Sequence, residues 1–260
     1  MFIFESEKFL TPSISLYGFL PEKAKRIFIL YKINRKATLD DGCNPELVAN
    51  ALFDGTLEIP SIKAHKHIFI PNGITPFSCS EKNKNPSKEA IGFFEMDEHF
   101  SGILISPEKY DPIISTYGAF ITPDCSLYRS APLPVQIINI YRNRAIGVRY
   151  QEQGTYVITQ VRWGNELTYT KKYFPEKIAF LGAPKNSIIS IGSYGCIQKK
   201  EDKYHFEAGL YEMMQTLEPQ VVLVYGSAPE KIFKQYENKA KFVVYPNWTS
   251  LKHKEVVNYG

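Results

Sequence analysis

No stretch of this chain approaches the roughly 20 consecutive apolar residues that cross a bilayer. The first residues, Met1 to Lys8, carry Glu5 and Glu7 where an export signal would be apolar. The expectation is a protein neither exported nor anchored, working in the cytoplasm without a membrane partner. Cysteine is scarce and scattered: Cys43, Cys79, Cys125 and Cys196 form no CxxC pair, so free thiols are the simplest account. Histidine is equally thin. His65 and His67 alternate as on one face of a strand, but no third ligand stands near, and His99, His205 and His253 are isolated. No metal site is expected. The P-loop and the nucleophile elbow are absent, as are the helix-turn-helix, the zinc finger and the usual RNA-binding signatures. Nucleic acid is therefore a permitted partner without a motif behind it. No pattern points to a cofactor or to an oligomeric state. Internal repeats are missing, and the one low-complexity tract is Ser80–Lys88.

What is present is an ordinary globular balance. With 260 residues, 44% hydrophobic and 22% charged, the chain is long enough to bury a sizeable core as one large domain or two small ones. A net charge of +4 and an isoelectric point near 8.7 permit a phosphate-bearing ligand without demanding one.

The clearest pattern is a series of short apolar runs, each ending in a polar or glycine cluster. They are Ile27–Tyr31, His67–Ile70, Ile91–Met96, Ala119–Thr122, Tyr156–Val161, Ser187–Ile191, Val221–Tyr225 and Lys241–Tyr245. Near-continuous apolar runs of this length suit strands covered on both faces. Helices are expected between them. Asn44 and Pro45 open Pro45–Leu52. Ile137, Ile138, Tyr141, Ala145 and Val148 fall at helical spacing within Pro134–Gln151, which Gly154 closes. Phe206, Leu210, Met213, Met214 and Leu217 make a stripe stopped by Pro219, and Ser227 reads as the cap of a fourth helix. Pro71–Lys88 reads as a loop. The fold class is therefore α/β, with repeated β-α units around a mainly parallel sheet. A distorted or incomplete (βα)8-like barrel is the first expectation and an open doubly wound sheet the alternative. Residues 1–88 read as an irregular N-terminal part packed on a regular region, 89–260, in one domain overall.

In such a sheet the C-terminal ends of strands line the functional face. Those ends here are Asn72, Glu95 with Asp97, Asp124, Arg162 with Trp163, Ser193 with Tyr194, Tyr225 with Ser227, and Asn247. Asp97 and Asp124 close consecutive strands, so their carboxylates would start from backbones about 4.8 Å apart. They are candidates for shared proton chemistry, or simply for capping a helix and a turn. Ser193 sits in a glycine-flanked strand exit, and Ser227 follows Tyr225 and Gly226 before a helix. Both are candidate anion holders, with plain turn geometry as the other explanation. The helix around residues 136–144 is unusually polar for a crossover. It places Asn139, Arg142 and Arg149 on one face, where Arg142 either grips an anion or pairs with an acidic neighbour. Trp163 is a candidate aromatic wall or a core residue.

Several of these segments carry a resemblance: 121–128 (ITPDCSLY), 136–139 (QIIN), Tyr141 to Arg144 with Gly147, Val157-Ile158, Trp163, Gly195-Cys196, Glu212-Met213 with Leu217 and Pro219, and 222–226 (VLVYG). From Asp111 onward the chain resembles a domain-of-unknown-function family of phages, plasmids and other mobile elements, largely of Gram-positive bacteria. The match covers about half the chain in the family's order. Thr159 stands where that family often has proline, and the N-terminal third falls outside it. The resemblance implies a mobile-element setting in a bacterial cytoplasm or a phage-infected cell, with no assigned reaction. The function expected is an enzyme acting on a phosphorylated small molecule, nucleotide or polynucleotide. A non-catalytic binding protein, such as a replication accessory or an inhibitor of a host protein, is the alternative.

Overall fold

The computed structural model describes residues 44–247. The expected strand Ile27–Tyr31, Cys43 and His253 lie outside the described residues. A two-stranded antiparallel ribbon, β1 (Phe53–Asp54) and β2 (Ile59–Pro60), precedes the main sheet. Seven parallel strands follow: β3 (Ile74–Pro76), β4 (Ala90–Gly92), β5 (Ala119–Ile121), β6 (Val157–Gln160), β7 (Ile188–Gly192), β8 (Val221–Tyr225) and β9 (Lys241–Tyr245). Their spatial order is their sequence order. That order has no reversal, so right-handed crossovers carry every connection to the same face. A doubly wound sheet needs a reversal, and the alternative expectation is thereby corrected. The sheet curls into a half-barrel flanked by helices.

Six α-helices are described: α1 (Asp97–Ile105), α2 (Asp111–Ile114), α3 (Leu133–Glu152), α4 (Glu166–Tyr169), α5 (Lys200–Leu217) and α6 (Glu230–Phe233). The alternation of side chains along each strand divides the core. Phe93, Phe120 and Val157 pack with residues of α1 and α3, and Ile189, Ile191, Val222 and Val224 pack with α5. The alternate positions, Ala90, Ala119, Ile121, Ile158, Ile188, Val221 and Leu223, gather on the other face. Strands β4 to β6 and β8 are buried throughout, as apolar runs covered on both sides must be. The outer strand β9 instead exposes Lys241 and Val244, and a lysine on an edge discourages further pairing.

Two local expectations fail for one reason. His67–Ile70 is not a strand, and the segment read as loop contains β3. Ile68, Phe69 and Ile70 are apolar because they pack against the inner face. The Phe69 amide donates to the Tyr156 hydroxyl at 2.9 Å, and that hydroxyl donates to the His67 carbonyl at 2.8 Å. Farther along, the Tyr245 hydroxyl of β9 donates to the Pro71 carbonyl at 2.5 Å. The segment before the first strand of the sheet thus touches the last one. At the start of the described chain, Asn44 caps a helix as expected, but the turn is 3-10 and ends at Val48. Ser227 does not cap α6, whose N-cap is Pro229.

Candidate functional site

The exits of β5 and β6 carry a buried polar network. After β5 the chain runs Thr122, Pro123, Asp124, and the Thr122 hydroxyl accepts from the Gln160 amide at 2.8 Å and donates to Asn143 Oδ1 at 3.0 Å. Asn143 Nδ2 donates to the Pro123 carbonyl at 2.6 Å. Its neighbour Arg144, entirely enclosed, donates to the carbonyls of Gln160 at 2.8 Å, Leu181 at 3.0 Å and Ala179 at 3.1 Å, and to Asn143 Oδ1. Burial pulls the Arg144 guanidinium down to about 9. The crossover helix is polar because this face satisfies strand-exit carbonyls that would otherwise be stranded away from water.

This network presents a charged pair. Asp124, 5% exposed, accepts from Gln160 Nε2 at 2.5 Å and from Arg162 Nη1 at 3.0 Å. Burial drives its carboxyl up to about 6, opposed by the Arg162 charge and assisted by Asp97. Arg162 is pushed the other way, mainly by the Asp124 charge, and stays protonated. Its second nitrogen, Nη2, lies 3.5 Å from the Cys196 sulfur, and the Cys196 thiol lies 3.6 Å from the Tyr194 carbonyl.

Arg162 and Cys196 line a cavity of about 270 Å³. Its walls include Trp163, Tyr128, Tyr194 and His205, and Arg129 and Asp202 face each other across an ion pair of 2.8 Å. Trp163 is held firmly: its indole donates to the His205 carbonyl at 3.0 Å, and a Cβ on Gly209 would stand 2.2 Å from the ring. Only glycine lets α5 lie this close to the tryptophan. A second cavity of about 230 Å³ opens between the exits of β7, β8 and β9.

The residues anticipated from sequence fall into two groups. Asp97 begins α1 and does not cap it. Its carboxylate accepts from the Ser126 amide at 3.1 Å and the Ser126 hydroxyl at 2.8 Å. Asn139 donates to the Ser126 carbonyl at 2.7 Å, and Arg142 Nη1 reaches Asn139 Oδ1 at 3.4 Å. Asp97 and Asp124 therefore influence each other's charge through space while each keeps its own donors. Arg149, on the same helix, is taken by Asp111 in a two-pronged pair at 2.7 Å. The other group surrounds β7 and β8. The Ser193 hydroxyl donates to the Ser227 carbonyl at 2.6 Å, and the Tyr225 ring stacks on Phe94 with centroids 4.4 Å apart. Ser227 itself is exposed.

Sequence reasoning placed Arg162 at a strand exit without giving it a role, and passed over Gln160, Asn143, Arg144, Ser126 and Cys196. Only the polarity of the helix was visible in advance. His65 turns out to stack on Tyr156 at 3.7 Å and to bond the Val157 carbonyl, with burial lowering its pKa. Among the described residues no group of three or more histidine, cysteine or acidic side chains is arranged to hold a metal. None of the described helices is long and apolar enough to cross a membrane.

Residues 51–246 match the family described as "Domain of unknown function (DUF4417)". The "Gene 1 protein" of Mycobacterium phage D29 is 34% identical over 137 residues, 53% of this chain and 48% of that protein. The "Gene 1 protein" of Mycobacterium phage L5 is 30% identical over 171 residues, 65% of this chain and 71% of that protein. The matched stretch thus spans about half of the D29 protein. No solved structure matches the chain. The phage kinship read from the motifs is borne out, and the match begins some 60 residues before Asp111, taking in all of β3 and β4.

Proposed function

The chain belongs to the DUF4417 family, and from that premise we propose an enzyme that acts on a phosphorylated small molecule, nucleotide or polynucleotide at the rim where β6 and β7 end. One observation carries the reading: a guanidinium, Arg162, is aimed by Asp124 and Gln160 into a cavity at the C-terminal edge of consecutive parallel strands. Arg162 is the natural grip for a phosphoryl group, because its planar fork matches two oxygens at once. Asp124, with its carboxyl near 6, is the group whose charge changes in the range where proton transfer is useful. Phage relatives support a setting in the bacterial cytoplasm during infection.

A second reading, binding without turnover, has its own support. Asp124 faces Arg162 and not the cavity, which suits a residue that orients the arginine. A thermal-shift screen of nucleotides, sugar phosphates and short DNA and RNA tests the shared premise. A ligand at 100 times its dissociation constant adds about 2.7 kcal/mol. Arg162→Gln should abolish the shift relative to its own ligand-free melting temperature, and Arg162→Lys should weaken it about tenfold. Overnight incubation with the hit then separates the readings. Product formed by wild type and lost in Asp124→Asn supports the enzyme, and an unchanged ligand supports the binder.

A further inference from the structure

We propose that the two rim cavities are the halves of one nucleoside phosphate site, with the phosphate on Arg162 and the base in the second cavity. This deepens the reading above and rests on it. Tyr194 and Gly195 border both cavities, so the loop after β7 is a low partition and not the end of the site. The compartments differ in chemistry. The first has Arg162 on its floor. The lining of the second contains no charged side chain. There the Ser193 hydroxyl is spent on the Ser227 carbonyl, which locks two strand exits together. Gly226 permits that approach: it sits at φ +121°, and a Cβ would stand 2.6 Å from Ser193 Oγ.

The groups left to meet a ligand in the second compartment are the Tyr194 ring, 55% exposed, and the amides of Gln198 and Asn247. A tyrosine face stacks any base, and a primary amide offers the paired donor and acceptor that a base edge presents. Size agrees. Each cavity alone falls below the roughly 300 Å³ at which ligand pockets begin, and the two joined exceed it. A sugar phosphate fills one side only.

Calorimetric titration of the full chain with the four common nucleoside monophosphates, ribose 5-phosphate and adenosine tests this. At least one nucleotide should bind about tenfold tighter than ribose 5-phosphate. Tyr194→Ala, at an exposed position that the fold does not need, should reduce that nucleotide's affinity about fivefold or more and leave ribose 5-phosphate unchanged. A 5′-phosphorylated dinucleotide separates the two sources of this chemistry. Tighter binding than the monomer assigns the site to strand ends, and weaker binding to free nucleotides. Ribose 5-phosphate matching every nucleotide, with Tyr194→Ala silent, overturns the base compartment and spares the anion site. No binding by any phosphorylated compound overturns both.

Discussion

Asp124 and Arg162 form a pair whose net charge depends on pH. With Asp124 ionised the pair is neutral. Protonation below about 6 leaves Arg162 uncompensated and the pair at +1. An anion in the cavity is therefore held more tightly as pH falls through that value. Sulfate is the suitable probe because its own charge is constant there. Its affinity should rise about three- to tenfold between pH 7.5 and pH 5 at low salt. Asp124→Asn should flatten the profile, and a wild-type profile that is already flat would remove the pair from the site. Arg144 does a different job. Its guanidinium satisfies carbonyls from three separate stretches of chain, so Arg144→Met strands them in a dry interior. The expected loss is about 3 kcal/mol in denaturant unfolding. Lysine should not restore it, since a single ammonium cannot reproduce the fork.

At the scale of elements, α3 and α5 frame the rim by opposite means. Helix α3 contributes polar side chains to the strand exits, and α5 contributes a glycine notch for Trp163. Gly209→Ala pushes a methyl into the indole. It should cost about 1 to 3 kcal/mol and alter tryptophan fluorescence together with ligand affinity. Unchanged emission would mean the ring is not seated against α5. The same elements explain what was legible in the sequence. Strands β5 to β9 were readable because each is an apolar run with both faces covered. Strand β3 was not, since three residues between Gly73 and Phe77 leave no room for a pattern. His67–Ile70 misled because contact with the inner face demands the same residues as a strand. Asp124 was found from its position after a strand. Its partners were hidden, because Arg162 lies 38 residues away and only the pairing of β5 with β6 brings them together.

For the whole molecule, the sequential strand order has a functional consequence. All strand exits lie along one rim with no reversal to interrupt it, so a ligand can run along neighbouring exits. The cavity at β6 and β7 and the one at β7 to β9 are successive stations on that rim. Cys196 reports directly on whether a ligand sits there, because its sulfur lies against Arg162 in the cavity wall. Cys79, also partly exposed but outside both cavities, is the internal control. The decisive measurement is the rate of iodoacetamide alkylation at each cysteine, read by peptide mass spectrometry with and without the best phosphorylated ligand from the thermal screen. Protection of Cys196 by about tenfold or more at saturation, with Cys79 unaffected, is the predicted result. A ligand that raises the melting temperature while Cys196 reacts at its free rate would contradict the account, because the ligand would then be bound elsewhere.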